Sequence, residues 1–309
     1  MNVLSLFDGI SCGRVALERA GIKVDKYYAS EIDKYAMQVA QKNYPDTIQV
    51  GDITKLKGSD FQDIDLIIGG SPCQGFSFAG KQLNFDDARS KLFFEYVRLL
   101  KEIKPKYFLL ENVKMKKEYQ NIISGHVGVE PIQINSALVS AHNRERLYWD
   151  NMPNITQPTD KGILLKDILE EGVTDREKGY CIDANYWKGG NLKSYFGKGR
   201  RQLVFDSPNQ IGFIKQNHRG SRIYSKNGKS VTLCSSGGGW GMKTGLYKDG
   251  KNFRMLTPIE CERLQTLPDN YTEGISNTQR YKCLGNGWTV DVIAWILSHI
   301  QSKELYKAS

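Results

Sequence analysis

The chain lacks any run of ~18 consecutive apolar residues, so neither a membrane-spanning helix nor a membrane partner is expected. It has only six cysteines (Cys12, Cys73, Cys181, Cys234, Cys261 and Cys283), with no C-x-x-C pair. Neither a disulfide framework nor a zinc site is expected, and no metal. Its start, MNVLSLFDGIS, has no basic stretch before the apolar residues and carries Asp8 early. No signal peptide is expected there, and a reducing, cytoplasmic location is expected. There is no G-x-G-x-x-G turn and no low-complexity tract or internal repeat. What remains is ordinary globular composition over 309 residues, 40% hydrophobic and 25% charged. This is enough chain for about two domains and a large core.

The net charge of +9 is unevenly spread. Residues 185–254 hold 14 Lys and Arg against only Asp206 and Asp249. That segment carries +12, and the rest sums to −3. Basicity gathered in one segment points to a polyanionic partner met by one part of the molecule. The same segment contains 13 of the 30 glycines and lacks long helical periodicity, so it reads as loop-rich.

The first 150 residues alternate between two patterns. Short apolar runs at Val3–Leu6, Tyr27–Ala29, Ile64–Ile68 and Tyr107–Leu110 read as strands. Arg14–Ala20, Lys34–Asn43 and Lys91–Ile103 have helical spacing between them. Alternation of this kind gives an α/β fold with a doubly wound, mixed but mostly parallel sheet, joined here by a smaller loop-rich domain. The expected division is 1–165, 166–265 and a segment 266–309. In the last, Thr289–Ile300 forms a helix returning to the first domain.

In such sheets ligands bind beyond the carboxyl ends of the strands. The first strand runs into Phe7-Asp8-Gly9-Ile10, the second into Ser30-Glu31-Ile32-Asp33, the third into Gly51-Asp52-Ile53. An acid after the second strand can bind ribose hydroxyls, and Asp52 could accept from an adenine amino group. Acids at successive strand ends favour an adenosine-containing cofactor bound without a phosphate loop. The fourth strand ends in Gly69-Gly70-Ser71-Pro72-Cys73-Gln74-Gly75-Phe76-Ser77. A cysteine amid turn residues is a candidate nucleophile rather than a core residue. The fifth ends in Glu111-Asn112-Val113. A carboxyl group after an apolar strand is a candidate proton donor, because desolvation favours the neutral form.

These segments resemble those of the DNA (cytosine-5) methyltransferases. With them go Asn143-Arg144-Glu145-Arg146-Leu147-Tyr148, Arg254–Leu267 and Gly285-Asn286-Gly287. They follow the family's order across nearly the whole chain. The length suits the compact bacterial or phage members, and some stretches are similar to the vertebrate de novo enzymes. The resemblance implies a flipped-out cytosine in duplex DNA, attack by Cys73 at C6, Glu111 on N3 and Arg146 on O2. It implies that Arg144 orders Glu111 or a phosphate. S-adenosylmethionine would lie along Phe7, Gly9, Ile10, Glu31, Ile32, Asp52, Ile53, Pro72 and Leu92, with Asn286. Gln74, Ser77, Lys81 and Arg89 fall in or beside the family's mobile loop and would contact DNA. The basic segment corresponds to its target-recognition domain, with Arg200, Arg201, Arg219 and Arg222 as candidate contacts.

Departures are visible. Ser11-Cys12 replaces a glycine pair, His142 replaces a glutamine, and Trp288 stands where valine is usual. An RNA cytosine-5 methyltransferase and a non-catalytic DNA-binding homologue are alternative readings. Cys73, Glu111, Arg144 and Arg146 together argue against the second. A role in host DNA protection or phage defence evasion would bring a possible cognate restriction endonuclease. Recognition site and oligomeric state are not legible.

Overall fold

A computed structural model describes residues 1–72, 88–189, 192–205, 210–213, 222–225, 246–248 and 253–305. For 88–90, 193–194, 210–213, 222–225, 246–248, 253 and 301–305 only the backbone is described. Cys73, Gln74, Ser77, Lys81 and Arg219 lie outside the described residues, as do the side chains of Arg89 and Arg222.

The amino-terminal part alternates as its patterning expects. It runs β1 (Asn2–Leu6), α1 (Cys12–Arg19), β2 (Lys26–Ser30), α2 (Lys34–Asn43), β3 (Ile48–Gln49) and β4 (Leu66–Gly70). Then follow α3 (Ala88–Ile103), β5 (Tyr107–Val113), α4 (Lys117–Val127), β6 (Ile132–Asn135) and β7 (Glu145–Asp150). The strand order is β3-β2-β1-β4-β5-β7-β6. All pairings are parallel except those of β7, which runs antiparallel to both β5 and β6.

Successive side chains of a strand face opposite sides of the sheet. Val3, Ile68 and Leu109 therefore enter one buried cluster, with α1 and the carboxyl-terminal helix. Leu4, Ile67 and Leu110 enter another, against Phe93, Tyr96 and Leu99 of α3. Burial on both faces explains why β1, β4 and β5 read as unbroken apolar runs. Strong local signals set the helix ends. Asp33 caps α2 by accepting from the Tyr35 amide at 2.9 Å. Gly128, at φ 82°, ends α4 in the left-handed conformation that glycine adopts cheaply.

Beyond β7 come α5 (Leu165–Ile168), α6 (Leu192–Lys198), β8 (Leu203–Phe205), β9 (Gln210–Phe213), β10 (Arg222–Ser225), β11 (Leu246–Lys248) and β12 (Phe253–Met255). β12 pairs with β8, and β11-β10-β9 form a small sheet. Among the described residues no separate second domain is delimited. Leu165, Ile182, Tyr186, Val204 and Leu256 share the cluster of the main sheet. The chain then returns through α7 (Pro258–Leu264), α8 (Asn277–Asn286) and α9 (Val290–Leu305), and α9 packs on α1. The T-P-x-E start of α7 is a capping box, with Thr257 and Glu260 each accepting from the other's backbone N–H. Among the described residues no helix is long and apolar enough to cross a membrane.

Candidate active site

Strand order reverses between β1 and β4, and a cleft of roughly 370 Å³ opens beyond the carboxyl ends there. Its walls include all ten residues expected to hold the cofactor: Phe7, Gly9, Ile10, Glu31, Ile32, Asp52, Ile53, Pro72, Leu92 and Asn286. Glu111, Arg144 and Arg146 line the same cleft.

The β1–α1 turn is tight. Phe7, Gly9 and Ser11 have φ of 58°, 60° and 59°. Two of these are strained for residues with side chains, and buried hydrogen bonds hold the turn. The Asp8 carboxylate accepts from Ser11 Oγ at 2.5 Å and Tyr27 Oη at 2.7 Å. Burial raises Asp8 above the usual carboxylate range, against those bonds. Cys12 is a core residue whose thiol burial pushes up to about 12, and it packs beside Gly287. Here a buried thiol fills the space next to a residue without a side chain.

Glu31 is fixed by its own loop. One oxygen accepts from the Gly9 amide at 2.9 Å, the other from the amides of Ile32 and Asp33 at 2.7 and 2.8 Å. Each oxygen of a carboxylate can accept further bonds, so a ribose diol can still be met. Ile32 is 76% exposed, a bare apolar face beside those acids and suited to a flat ring. Asp52 caps a short 3-10 turn through the Thr54 amide and hydroxyl, and these bonds hold it below the usual range. These residues fit an adenosine. One acid for the ribose, a second for the adenine amino group and exposed apolar surface are the chemistry such a group needs.

On the opposite wall Glu111, 8% exposed, lies two residues before the end of β5. The β5–β7 register sets Val113 opposite Arg146, two residues on and therefore on the same face as Glu111. Arg146 Nε lies 2.9 Å from Glu111 Oε1. Its Nη1 donates to the Glu145 carbonyl at 2.8 Å. Trp288 Nε1 donates to Glu111 Oε2 at 3.0 Å. Next to Glu111, Asn112 donates to Ser71 Oγ at 3.1 Å, tying β5 to the residues that lead into Cys73.

Arg144, the residue expected to order Glu111 or a phosphate, is 4% exposed, and its guanidinium is held by backbone carbonyls and the Cys181 sulfur. It donates to Ile182 at 3.2 Å and Gly287 at 2.8 Å, with longer contacts to Gly285 at 3.5 Å. Its guanidinium clamps the turn after α8 to the segment after β7; Arg146 is the arginine on Glu111. The clamp needs glycine at 285, because a Cβ there would sit 2.2–2.3 Å from the backbone of Asp183 and Ala184.

Sequence reasoning missed two residues. Trp288 was legible only as a tryptophan where valine is usual. Cys181 was seen only as one scattered cysteine. Its sulfur lies 3.3 Å from Arg144 Nη1 and 4.0 Å from Arg146 Nη2. Burial acts to raise this thiol, but the two guanidiniums outweigh it and lower it. His142 is fully buried, with Nε2 3.2 Å from Thr289 Oγ1. Desolvation and the neighbouring Arg144, Arg146 and Lys178 hold it neutral, well below the usual imidazole range. In the basic segment Arg200 is exposed, while Arg201 braces the Gly189 carbonyl at 2.8 Å.

A seven-stranded, mostly parallel sheet with one antiparallel strand, and a nucleoside-sized cleft at its switch point, define an α/β methyltransferase. Residues 1–123 and 133–302 match the family described as C-5 cytosine-specific DNA methylase. The chain belongs to that family and is a DNA cytosine-5 methyltransferase. It is 30% identical to the type II methyltransferase M.HhaI of Haemophilus parahaemolyticus, over 99% of this chain and 96% of that protein. It is 34% identical to the type II methyltransferase M1.ScrFI of Lactococcus lactis subsp. cremoris, over 94% and 76%. Among solved structures, Entamoeba histolytica methyltransferase EhMeth shares the fold with a TM-score of 0.69 at 19% identity, covering 98% of each chain. A DNMT2 variant from Spodoptera frugiperda does so at 0.66 and 20%, covering 97% of this chain and 99% of that one.

Proposed function

We propose that this enzyme transfers a methyl group from S-adenosylmethionine to C5 of a cytosine flipped out of a specific duplex DNA site. The observation that carries this is Glu111. It is held by Arg146 and Trp288 on the cleft that Glu31 and Asp52 also line, beside the Pro72 turn leading into Cys73. When bound, the cofactor supplies an electrophilic methyl group. Glu31, Asp52 and Ile32 hold its adenosine, with Phe7, Gly9, Ile10, Ile53, Pro72, Leu92 and Asn286 around it. Cys73 attacks C6 as a thiolate. Glu111 holds or protonates N3, and Arg146 contacts O2, so both draw electron density from the ring and make C6 electrophilic. C5 becomes nucleophilic and takes the methyl group. Loss of the C5 proton to a base expels Cys73 and restores aromaticity.

The basic segment supplies the recognition surface. Of its candidates Arg200 suits a DNA contact, and Arg219 and Arg222 remain candidates, as do Gln74, Ser77, Lys81 and Arg89 nearer the base. The length, the family and the type II relatives support a modification role, in host DNA protection or phage defence evasion, with a cognate endonuclease as possible partner.

The test is a trap. Fluorine at C5 of the target cytosine permits methyl transfer but leaves no proton to remove. Wild-type enzyme with cofactor should then stay bonded to DNA through denaturing electrophoresis, and Cys73→Ser should not. No adduct on DNA containing the verified site would overturn Cys73 as nucleophile. Adducts on RNA alone would favour an RNA substrate.

A further inference from the structure

We propose that Trp288 is a positioning residue for Glu111, holding Oε2 so that Oε1 is the atom presented to the pyrimidine edge. This rests on the reading of Glu111 given above. An indole N–H is a donor only. It can neither take the proton nor accept from the base, so it pins Oε2 as an acceptor. Arg146 holds Oε1 at 2.9 Å, but it is a long cation that the reaction asks to turn toward the cytosine O2. When it turns, Trp288 keeps the carboxylate plane in place.

The surroundings make Trp288 rigid enough for this. The preceding carbonyl, of Gly287, accepts from Arg144 at 2.8 Å and Gln265 at 3.1 Å. The following residue, Thr289, donates to Gln265 Oε1 at 2.8 Å and meets His142. Two glycines open the slot for the ring. A Cβ at Gly70 would lie 2.8 Å from Glu111 Oε2 and 3.0 Å from Trp288 Nε1. A Cβ at Gly13 would meet Ile68 at 2.3 Å and the indole edge at 3.5 Å. Gly70 thus permits the carboxylate and the indole to meet at the end of β4.

The test is a double-mutant cycle read by single-turnover methyl transfer at saturating cofactor and DNA. Trp288→Phe should slow transfer about 10–100-fold, the order expected for one hydrogen bond to a charged group, with cofactor affinity within about twofold. Trp288→His, which retains a ring N–H, should recover part of the rate. In a Glu111→Gln background Trp288→Phe should cost little more. Losses that multiply, or an unchanged rate in Trp288→Phe, would overturn the proposal by showing that the ring only packs. A second readout needs no loss of the ring. In protein labelled with 15N at tryptophan, the Trp288 indole proton should move upfield on Glu111→Gln, and an unmoved resonance would also overturn it. If Glu111→Gln leaves the rate intact, the reading of Glu111 itself falls, which is a different failure.

Discussion

Two carboxylates face the same cleft and are held in opposite ways. Glu31 takes three backbone amides, two from the residues just after it and one from the neighbouring strand-end turn. Glu111 takes side chains from remote segments, Arg146 on the antiparallel strand and Trp288 after α8. The acids of the cofactor wall are therefore fixed by their own and adjacent strand-end turns, although Asn286 reaches that wall from α8, while Glu111 on the base-facing wall needs the carboxyl-terminal return to be docked. Substitutions on the first wall should change affinity. Substitutions on the second should change rate or stability.

The largest expected effect is on Glu111. Glu111→Gln should lower single-turnover methyl transfer by about 10²–10⁴-fold, the range for a lost proton-transferring group, with cofactor affinity unchanged by calorimetry. A change in affinity without a change in rate would erase the distinction between the walls. Next comes the clamp. Arg144→Met would remove the charged donor from the buried carbonyls of Ile182 and Gly287, the latter keeping its bond from Gln265, at a cost of about 2–3 kcal/mol, seen as a lower urea midpoint at unchanged slope. Stability equal to wild type would mean that the carboxyl-terminal return docks without it.

A smaller effect is expected at Glu31. Glu31→Ala should weaken cofactor binding about 10–100-fold, from about 1.5–3 kcal/mol for a charged hydrogen bond. The rate at saturating cofactor should stay close to wild type, and a rate loss there would place Glu31 in the chemistry. The smallest effect concerns a third carboxylate, Asp150 at the end of β7. Burial raises it to about 6, against the Met152 amide and His299. Because its folded-state value is raised, it favours the folded state fully below pH 3.8, and that contribution is lost as pH rises through 6. The group is partly exposed, so the change is only about 1 kcal/mol. Asp150→Asn should flatten urea stability between pH 4 and 7 by that amount, and identical profiles would remove Asp150 as a source of pH dependence.

Much of the arrangement was legible because it is local. The strands at 3–6, 27–29 and 107–110 were found within a few residues, since residues buried on both faces read as apolar runs. The acids at their ends followed from where such sheets bind ligands. The antiparallel β7 was anticipated only in general terms, as a mixed sheet. Its span Glu145–Asp150 carries two charged residues at its start, which hid a strand behind a motif.

The amino-acid order by itself determined the strand-turn-helix units, the acids at their strand ends and the presence of Cys73, Glu111 and the two arginines, because each depends on neighbours in sequence. Only the tertiary structure decided which arginine meets Glu111 and what Trp288 is for. The Trp288–Glu111 bond joins residues 177 positions apart, and the Arg144–Gly287 bond spans 143. Pairings at that separation have no local pattern. They arise when α9 packs on α1 and brings the turn after α8 against the end of β5.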